Sequence, residues 1–290
     1  MNDSDASFRR VVAVTGPTAT GKTALAVALA NQFSGEIVSV DSRQVYRQMD
    51  LGTGKDLAEY GDIPYHLIDI ADPKTEVYNL HRFCRDAYAA IDDIVRRGKL
   101  PILCGGTALY LEALLRGFAL PGQALAPRQI GVPRQRQTLD AAPSQPPPFA
   151  LDALIIGVYF ERREVRERIA RRLDQRLDAG MIDEVKRLHA AGVSFQQLEF
   201  FGLEYREIAR LLQGQCDEKE MRRQLLNRIR QFAKRQDIFF RKMEREQLVI
   251  HWIRRGEFAA AAALVADFLQ NHPLPEPEFR LCDLVNGPSF

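Results

Sequence analysis

The amino-acid sequence predicts an α/β protein with a doubly wound parallel sheet. Short apolar runs alternate along the chain with longer segments of helical period. The apolar runs are continuous, which is typical of strands that are covered on both faces of a sheet. Parallel strands joined through helices follow a right-handed crossover, and this rule gives a doubly wound core.

Six runs are predicted strands, and three segments between them are predicted helices. The strands are residues 11–15 (VVAVT), 36–40 (EIVSV), 65–70 (YHLIDI), 100–104 (LPILC), 154–160 (LIIGVYF) and 248–253 (LVIHWI). The helices are residues 22–32, 80–97 and 108–116. This alternation of strand and helix is what a parallel sheet requires.

One segment, residues 118–150, interrupts the pattern. It is rich in Pro, Gln and Arg and has no apolar period, so we interpret it as a linker or lid. We therefore divide the chain into residues 1–117 (first part of the core), 118–150 (linker) and 151–290 (remainder of the core with helices). Residues 161–176 and 221–243 are arginine-rich amphipathic segments, which fit either a solvated helix surface or an RNA-binding face.

Composition limits the class of protein. The chain has 290 residues, of which 46% are hydrophobic, and a net charge of +2, so a nucleic-acid partner must be held by a local basic patch. Its four cysteines are widely spaced without a C-x-x-C pair, which predicts reduced thiols and no structural zinc. Without a signal-peptide h-region or an apolar stretch of about 20 residues, we expect a cytoplasmic protein with no membrane segment.

The sequence GPTATGKT fits the phosphate-loop pattern G-x-x-x-x-G-K-[ST] between a predicted strand and a predicted helix. Glycines allow backbone N–H groups to surround an anion, and the helix N-terminus adds its positive dipole end. The predicted diphosphate-binding residues of this loop are Gly16, Pro17, Thr18, Ala19, Thr20, Gly21, Lys22 and Thr23. Lys22 supplies a full charge, and the Thr23 hydroxyl is placed to ligate Mg²⁺.

The loop identifies a diphosphate and leaves open what is attached to it. An NTPase needs a second strand that ends in an acidic residue for Mg²⁺. The strand at residues 100–104 ends in glycines, but the run from His66 to Asp69 has the required form. A kinase that uses a nucleoside triphosphate therefore remains an alternative.

Two further polar residues follow predicted strands. Asp41 follows residues 36–40, and Thr107 follows the two glycines after residues 100–104. Ligands of open α/β sheets bind at the carboxyl ends of strands, so both side chains are expected near the phosphate loop. A carboxylate there can accept a proton from an amine or hydroxyl nucleophile. For both residues the structural alternative is a helix N-cap.

Taken in order, these motifs resemble one family. GPTATGKT, SVDSRQVYRQMDLGTGK, PYHLIDI and GKLPILCGGTALYLEALL are similar to segments of the tRNA dimethylallyltransferases, as are RLDAGMIDEVKRL, GLEYREI and RQFAKRQ further on. The resemblance covers residues 11–117 and roughly 154–253. The combination of a phosphate loop with DSxQVY and GGTxLY in this order is specific.

The resemblance implies a reaction and a role for particular residues. In the family, the N6 amine of adenosine 37 of tRNA, beside the anticodon, attacks carbon 1 of dimethylallyl diphosphate, and pyrophosphate leaves with the help of Mg²⁺. Asp41 then corresponds to the general base, Thr107 to the group near the bridging oxygen, and Arg230 to the arginine that supports the pyrophosphate. The implied tRNA contacts are Asp41, Ser42, Arg43, Gln44, Thr107 and Arg235. We also expect binding of the anticodon stem-loop and a monomeric enzyme.

The sequence departs from the family pattern where a helical insertion normally grips the anticodon stem-loop. Residues 118–150 stand in its place, and Ile229 precedes Arg230 where the family has threonine. Three hypotheses follow: a compact tRNA dimethylallyltransferase, a transferase that acts on a free adenine nucleotide, and a phosphate-loop kinase or inactive RNA-binding relative. The first is favoured by the AKRQ segment, and inactivity is disfavoured by the presence of Lys22, Asp41 and Thr107.

Overall fold

The structure is a computed structural model that describes residues 8–117, 120–121 and 144–284. Its strands are β1 (Phe8–Thr15), β2 (Gly35–Ser39), β3 (Tyr65–His66), β4 (Leu100–Cys104), β5 (Leu120–Pro121), β6 (Ser144–Gln145), β7 (Ala150–Tyr159) and β8 (His251–Arg254). Its α-helices are α1 (Lys22–Phe33), α2 (Leu80–Arg96), α3 (Ala108–Leu115), α4 (Arg162–Asp178), α5 (Met181–Ala190), α6 (Phe195–Phe200), α7 (Leu203–Leu212), α8 (Glu218–Arg245) and α9 (Phe258–Leu269). A short 3₁₀ helix spans Leu57–Tyr60.

Six strands form one parallel sheet in the order β3-β2-β4-β1-β7-β8, which confirms the predicted fold class. β1 lies at the centre, with Val12 opposite Ile102 of β4 on one side and Leu154 of β7 on the other. The chain places β2, β3 and β4 on one side of β1, and β7 and β8 on the other side. The strand order therefore reverses at the centre of the sheet, where open α/β folds place their ligands.

The two faces of the sheet are covered by different helices. Alternate residues of β1 belong to two separate cores: Val11 and Ala13 pack with residues of α2, α3 and the helices α4–α8, whereas Val12 and Val14 pack with α1 and α9. All four side chains are almost completely buried. This two-sided burial explains why the strand sequence is continuously apolar.

The carboxyl ends of β1, β2 and β4 are tied together by backbone hydrogen bonds. The Val40 N–H donates to the Cys104 carbonyl over 2.8 Å, and the Gly105 N–H donates to the Val14 carbonyl over 3.2 Å. A side chain at Gly105 would place its Cβ 2.1 Å from the Val40 carbonyl oxygen, so glycine is required for this close approach. The loops that follow the three strands therefore meet at one edge.

A buried carboxylate pins the segment that follows β2. Glu184 of α5 accepts hydrogen bonds from the backbone N–H groups of Asp50, Leu51 and Gly52, at 2.7–3.1 Å, and from the Tyr205 hydroxyl at 2.7 Å. Glu184 and Tyr205 are both buried. The loop between β2 and β3 is therefore fixed on α5 and α7.

Two of the predicted strands are shorter in the structure than the sequence indicates. The strand predicted at residues 65–70 ends at His66, because Leu67 and Asp69 adopt positive φ angles of 63° and 56° that a strand cannot contain. Asp69 there forms an ion pair with the buried Lys55. The strand predicted at residues 248–253 begins only at His251 and continues to Arg254.

The predicted linker lies mostly outside the described residues. Of the part that is described, Ser144–Gln145 pairs antiparallel with Leu120–Pro121. Phe149 is buried with its ring edge-on to Tyr88, and β7 begins at Ala150. The end of the segment is therefore packed, and the core resumes a few residues earlier than the sequence indicates. No helix within the described ranges is long and apolar enough to span a membrane.

Candidate active site

The phosphate loop has the backbone of an anion-binding site. Gly16, Ala19 and Gly21 have positive φ angles of 141°, 66° and 83°, which turn successive peptide groups of the loop. Helix α1 begins directly at Lys22, and its N-terminus has neither a side-chain cap nor an acidic residue in the first turn. Its N–H groups and positive dipole end are therefore available to an anion.

Lys22 lies at the mouth of this loop in a desolvated position. Its ammonium donates to the Pro17 carbonyl over 2.7 Å. The pKa of Lys22 is lowered to about 8, chiefly by burial and also by the charge of the nearby Arg172, while Cys104 and Asp41 act in the opposite direction. The side chain of the next residue, Thr23, lies beside the Cys104 thiol at the end of β4. A bound anion would stabilise the charged form of Lys22.

Side chains from two distant helices close over the loop. Gln236 of α8 accepts from the Thr18 N–H over 2.9 Å and donates to the Gly106 carbonyl over 2.7 Å. Arg168 of α4 donates from Nε to the Ala19 carbonyl over 2.6 Å, and Arg172 donates to the Thr18 hydroxyl. The Thr18 N–H therefore points to Gln236, so this donor is already used. The sequence analysis included Gln236 only as the last residue of the AKRQ segment, without a role at the loop, and it placed both arginines on a possible RNA-facing surface.

Asp41 is half-buried, and its carboxylate caps a turn. Its Oδ1 accepts from the backbone N–H groups of Arg43, at 2.8 Å, and Gln44, at 3.3 Å. No α-helix begins here, which excludes the helix N-cap alternative for Asp41. Burial raises the pKa of Asp41, while those two hydrogen bonds and the charges of Arg43 and Lys22 oppose the rise.

Thr107 lies at the N-terminus of α3 without capping it. Its side chain makes no cap hydrogen bond; instead, the hydroxyl oxygen accepts from the Ser42 N–H over 3.2 Å. The Thr107 N–H donates to the Val40 carbonyl over 3.3 Å. The loop after β4 is thus joined to the loop that carries Asp41.

The side chains of the other residues predicted to contact tRNA differ in their direction and in their partners. Gln44 points inward, accepting from the Ser39 hydroxyl over 2.9 Å and donating to the Gly54 carbonyl over 3.1 Å. The Arg43 guanidinium lies 5.1 Å from the ring centre of Phe200. The remaining residue, Arg235, is exposed on α8 and lies 5.8 Å from the ring centre of Phe232.

Arg230 lies on α8 among other cations. The pKa of Arg230 is lowered by burial and by the neighbouring Arg166 and Arg222. Its Nε is buried and has no hydrogen-bond partner within the described part of the chain. A buried guanidinium donor without a partner is costly unless an anion or water completes its hydrogen bonds.

A second carboxylate at this site was missed from the sequence. Glu204 lies in the first turn of α7, and burial raises its pKa above the ordinary value. The charges of Arg172 and Arg176 oppose this rise, and Asp41 adds a smaller contribution to it. No sequence signal singles it out, because an acidic residue in the first turn of a helix is ordinary. Its proximity to two arginines and to Asp41 emerges only from the packing of α7 against α4.

The residues present are compatible with Mg²⁺ bound through the diphosphate. Within the described ranges, no three His, Cys, Asp or Glu side chains form a cluster that could hold a metal ion. Mg²⁺ typically retains several waters and takes one or two protein ligands together with substrate phosphates. The hydroxyl of Thr23, at the first turn of α1, is a suitable single protein ligand.

This geometry is that of a phosphate-loop α/β enzyme whose anion site lies beside the carboxylate of Asp41. Comparison with known proteins identifies the family. A family model described as IPP transferase matches residues 44–143 and 128–243, and one described as isopentenyl transferase matches residues 9–60. The chain belongs to the tRNA dimethylallyltransferase family of prenyl transferases.

Individual relatives cover almost the whole chain. It is 44% identical to tRNA dimethylallyltransferase 1 of Geotalea daltonii, over 88% of this chain and 94% of that protein. It is 45% identical to tRNA dimethylallyltransferase 1 of Geotalea uraniireducens, over 84% and 92%. The solved structure of the tRNA isopentenylpyrophosphate transferase from Bacillus halodurans superposes with a TM-score of 0.74 at 28% identity, covering 91% of this chain and 97% of that one.

Proposed function

We propose that the chain transfers the dimethylallyl group of dimethylallyl diphosphate to the N6 amine of adenosine 37 in tRNA and releases pyrophosphate. The observation that carries this proposal is the proximity of the anion site to Asp41. Lys22 and Asp41 lie close enough for each charge to shift the pKa of the other. A diphosphate in the loop therefore places its substituent beside a carboxylate.

The reaction requires a proton acceptor and a stabilised leaving group. The amine nitrogen forms a bond to carbon 1 as the carbon–oxygen bond to the diphosphate breaks. Asp41 accepts the proton that the amine loses, and its raised pKa makes it a stronger base than an ordinary aspartate. Lys22 and the N-terminus of α1 stabilise the negative charge that develops on the leaving diphosphate.

Thr107 and Arg230 complete the proposed site. Because the Thr107 oxygen already accepts from the Ser42 N–H, its own proton is free to be donated to the bridging oxygen of the diphosphate. The unsatisfied Nε of Arg230 supports the assignment of this residue to the pyrophosphate. Thr23 would hold Mg²⁺, which when bound supplies further neutralisation of the leaving group.

The substrate RNA is proposed to be the anticodon stem-loop. Exposed arginines on α4 and α8, Arg171 and Arg235 among them, provide the local basic surface that a chain of net charge +2 needs. An adenine amine can reach Asp41 only when the base leaves the loop stack. The same proposal places the enzyme in the cytoplasm as a monomer.

The alternative acceptor is a free adenine nucleotide, which also presents an N6 amine. Purified protein with Mg²⁺ and labelled dimethylallyl diphosphate should be offered AMP and an anticodon stem-loop that has adenosines at positions 36 and 37. A stem-loop with guanosine at position 37 and the Asp41→Asn variant serve as controls. We expect label only in the adenosine-37 stem-loop. Label only in AMP would show that the acceptor is a free nucleotide and would contradict the tRNA proposal. Label in neither acceptor would contradict the transferase proposal and favour the kinase hypothesis.

For the kinase alternative, Asp69 was the residue that resembled a Mg²⁺-binding acid. In the structure its carboxylate is paired with the buried Lys55, whose ammonium also donates to the Tyr46 carbonyl and to Asp50. A carboxylate that neutralises a buried lysine is poorly suited to bind a metal ion as well. This arrangement favours the transferase over the kinase.

A further inference from the structure

Two polar side chains near Asp41 pack on aromatic rings. Tyr110, in the first turn of α3, lies on Phe83 of α2 with the two ring centres 4.5 Å apart, and only 8% of its surface is exposed. Arg43, in the loop after β2, lies with its guanidinium 5.1 Å from the ring centre of Phe200, the last residue of α6. Both side chains are therefore oriented by packing against a ring.

Neither side chain has a polar partner among the residues that the structure describes. The Tyr110 hydroxyl makes no hydrogen bond to them, and the Arg43 guanidinium has neither a hydrogen bond nor a carboxylate within 4.0 Å. The fully buried side-chain atoms that lack a partner belong to other residues. The hydroxyl and the guanidinium nitrogens are thus not sealed inside the protein but border open space. Their hydrogen-bonding capacity remains available to a ligand.

The two groups lie close to each other and to the Asp41 carboxylate. The charges of Arg43 and Asp41 each shift the pKa of the other, and both act on the Tyr110 hydroxyl. Burial is the main reason that the pKa of Tyr110 is raised, to about 12, and Arg43 opposes the rise. At neutral pH the hydroxyl is therefore protonated and can donate a hydrogen bond.

The chemistry of these groups indicates which part of the two substrates they contact. The dimethylallyl group is apolar and cannot use a hydroxyl donor. A purine base has flat faces that stack on aromatic rings and guanidinium planes, and ring nitrogens that accept hydrogen bonds. When the N6 amine of adenine meets Asp41, the ring nitrogens on either side of it, N1 and N7, point to the neighbours of Asp41. Tyr110 is such a neighbour and carries the donor that these nitrogens need.

We propose that Tyr110 is a specificity-determining residue for the acceptor: its hydroxyl donates a hydrogen bond to N1 or N7 of adenine, and the base stacks on the pair formed by Arg43 and Phe200. This inference rests on the function proposed above. The stack fixes the plane of the base, and the hydrogen bond fixes its rotation within that plane. Together they aim the N6 amine at Asp41.

The test compares Tyr110→Phe with the wild-type chain on three anticodon stem-loops, which carry adenosine, 1-deazaadenosine or 7-deazaadenosine at position 37. Each deaza base keeps the N6 amine and replaces one ring nitrogen by carbon. We expect Tyr110→Phe to lower kcat/KM about tenfold with adenosine and with the deaza base that keeps the accepting nitrogen. With the other deaza base the two enzymes should agree within about twofold, because the hydrogen bond is already absent.

Two variants of Phe200 and one matched control accompany this experiment. Phe200→Ala should lower kcat/KM about fivefold or more by removing the stacking surface, and Phe200→Tyr should retain it. Tyr88→Phe removes a buried hydroxyl that donates to the Leu114 carbonyl over 3.1 Å, at the far end of α3, and should leave kcat/KM unchanged. The affinity for pyrophosphate with Mg²⁺ should equal that of the wild type in every variant, which separates a lost base contact from a damaged fold.

The inference is overturned if Tyr110→Phe keeps the wild-type kcat/KM on the adenosine stem-loop. It is also overturned if the variant loses the same factor on all three stem-loops, since the hydroxyl would then act through the fold and not through a ring nitrogen. Equal activity of Phe200→Ala and the wild type would exclude the stack. In these cases transfer by the wild-type chain still stands. If the wild-type chain does not modify the adenosine stem-loop, the proposed function fails and this inference fails with it.

Discussion

The hydroxyl of Thr107 accepts a hydrogen bond from the backbone N–H of Ser42 over 3.2 Å, which joins the loop after β4 to the loop after β2. The hydroxyl can both fix Asp41's loop and donate its own proton towards the diphosphate. Thr107→Val keeps the shape of the side chain but removes both hydrogen bonds, so we expect a fall in kcat of about tenfold or more. Single-turnover transfer to the stem-loop measures this effect.

Thr107→Ser is the matched control for that experiment. Serine retains the hydroxyl and loses only a methyl group, so kcat should stay within a few-fold of the wild-type value. Equal activity of Thr107→Val and Thr107→Ser would show that the hydroxyl contributes nothing to the reaction. The expected pattern separates the proton-donating group from the packing of the side chain.

Asp41→Asn should lower kcat by about 10²–10⁴-fold, the usual contribution of a general base. The amide oxygen of asparagine can still accept from the N–H groups of Arg43 and Gln44, so the turn is preserved. The affinity for pyrophosphate should therefore change little in this variant. Transfer kinetics and a pyrophosphate titration give the two quantities. Full activity of Asp41→Asn would rule out this residue as the base.

The pH profile tests the same assignment in the wild-type enzyme. Because burial raises the pKa of Asp41, its carboxylate is protonated at a higher pH than an ordinary aspartate. Only the ionised form can accept the amine proton, so kcat/KM should decrease as the pH falls through this raised pKa. Rates with the stem-loop, corrected for stability at each pH, give the profile. An acid limb at the pKa of an ordinary aspartate would contradict the assignment.

The sheet could be predicted from the sequence because each buried strand produces a recognisable pattern within a few consecutive residues. The strand VVAVT is buried on both faces, and such burial produces a continuous apolar run that can be recognised directly. The run YHLIDI has the same appearance, yet its strand stops at His66. The cause is a tertiary one: the turn at Leu67 and Asp69 brings the latter to Lys55, and no apolar pattern encodes that ion pair.

The candidate site, too, could be predicted from the sequence only in part. The loop around Lys22 and the position of Asp41 follow from short motifs that come directly after strands. The groups that cover the loop come from far along the chain: Gln236 is 218 residues from Thr18, and Arg168 is 149 residues from Ala19. Arginines four residues apart fit a solvated helix equally well, so only the packing of α4 and α8 shows which of them reach the loop.

Tyr205→Phe should destabilise the fold by about 1–3 kcal/mol, because it removes a donor from the buried carboxylate of Glu184. That carboxylate also holds the N–H groups of Asp50, Leu51 and Gly52. Urea unfolding followed by circular dichroism gives the free energy of unfolding. Tyr65→Phe is the control, since this tyrosine is 40% exposed and should change stability little. An equal loss in both variants would contradict the special role of the Tyr205 hydroxyl.

The affinity for pyrophosphate should depend on pH through Lys22, whose pKa is lowered to about 8 by burial. The ammonium must be charged to hold the anion, so binding is favoured below pH 8 and lost as the pH rises through this value. By pH 9 only about a tenth of the free enzyme carries the charge, and the affinity should fall by about tenfold. Pyrophosphate also titrates in this range, so the measurement must be compared with Lys22→Arg, whose guanidinium keeps its charge. The ratio of the two dissociation constants reports the titration of Lys22 alone, and it should change between pH 7 and pH 9. A constant ratio would show that Lys22 remains charged or does not contact the diphosphate.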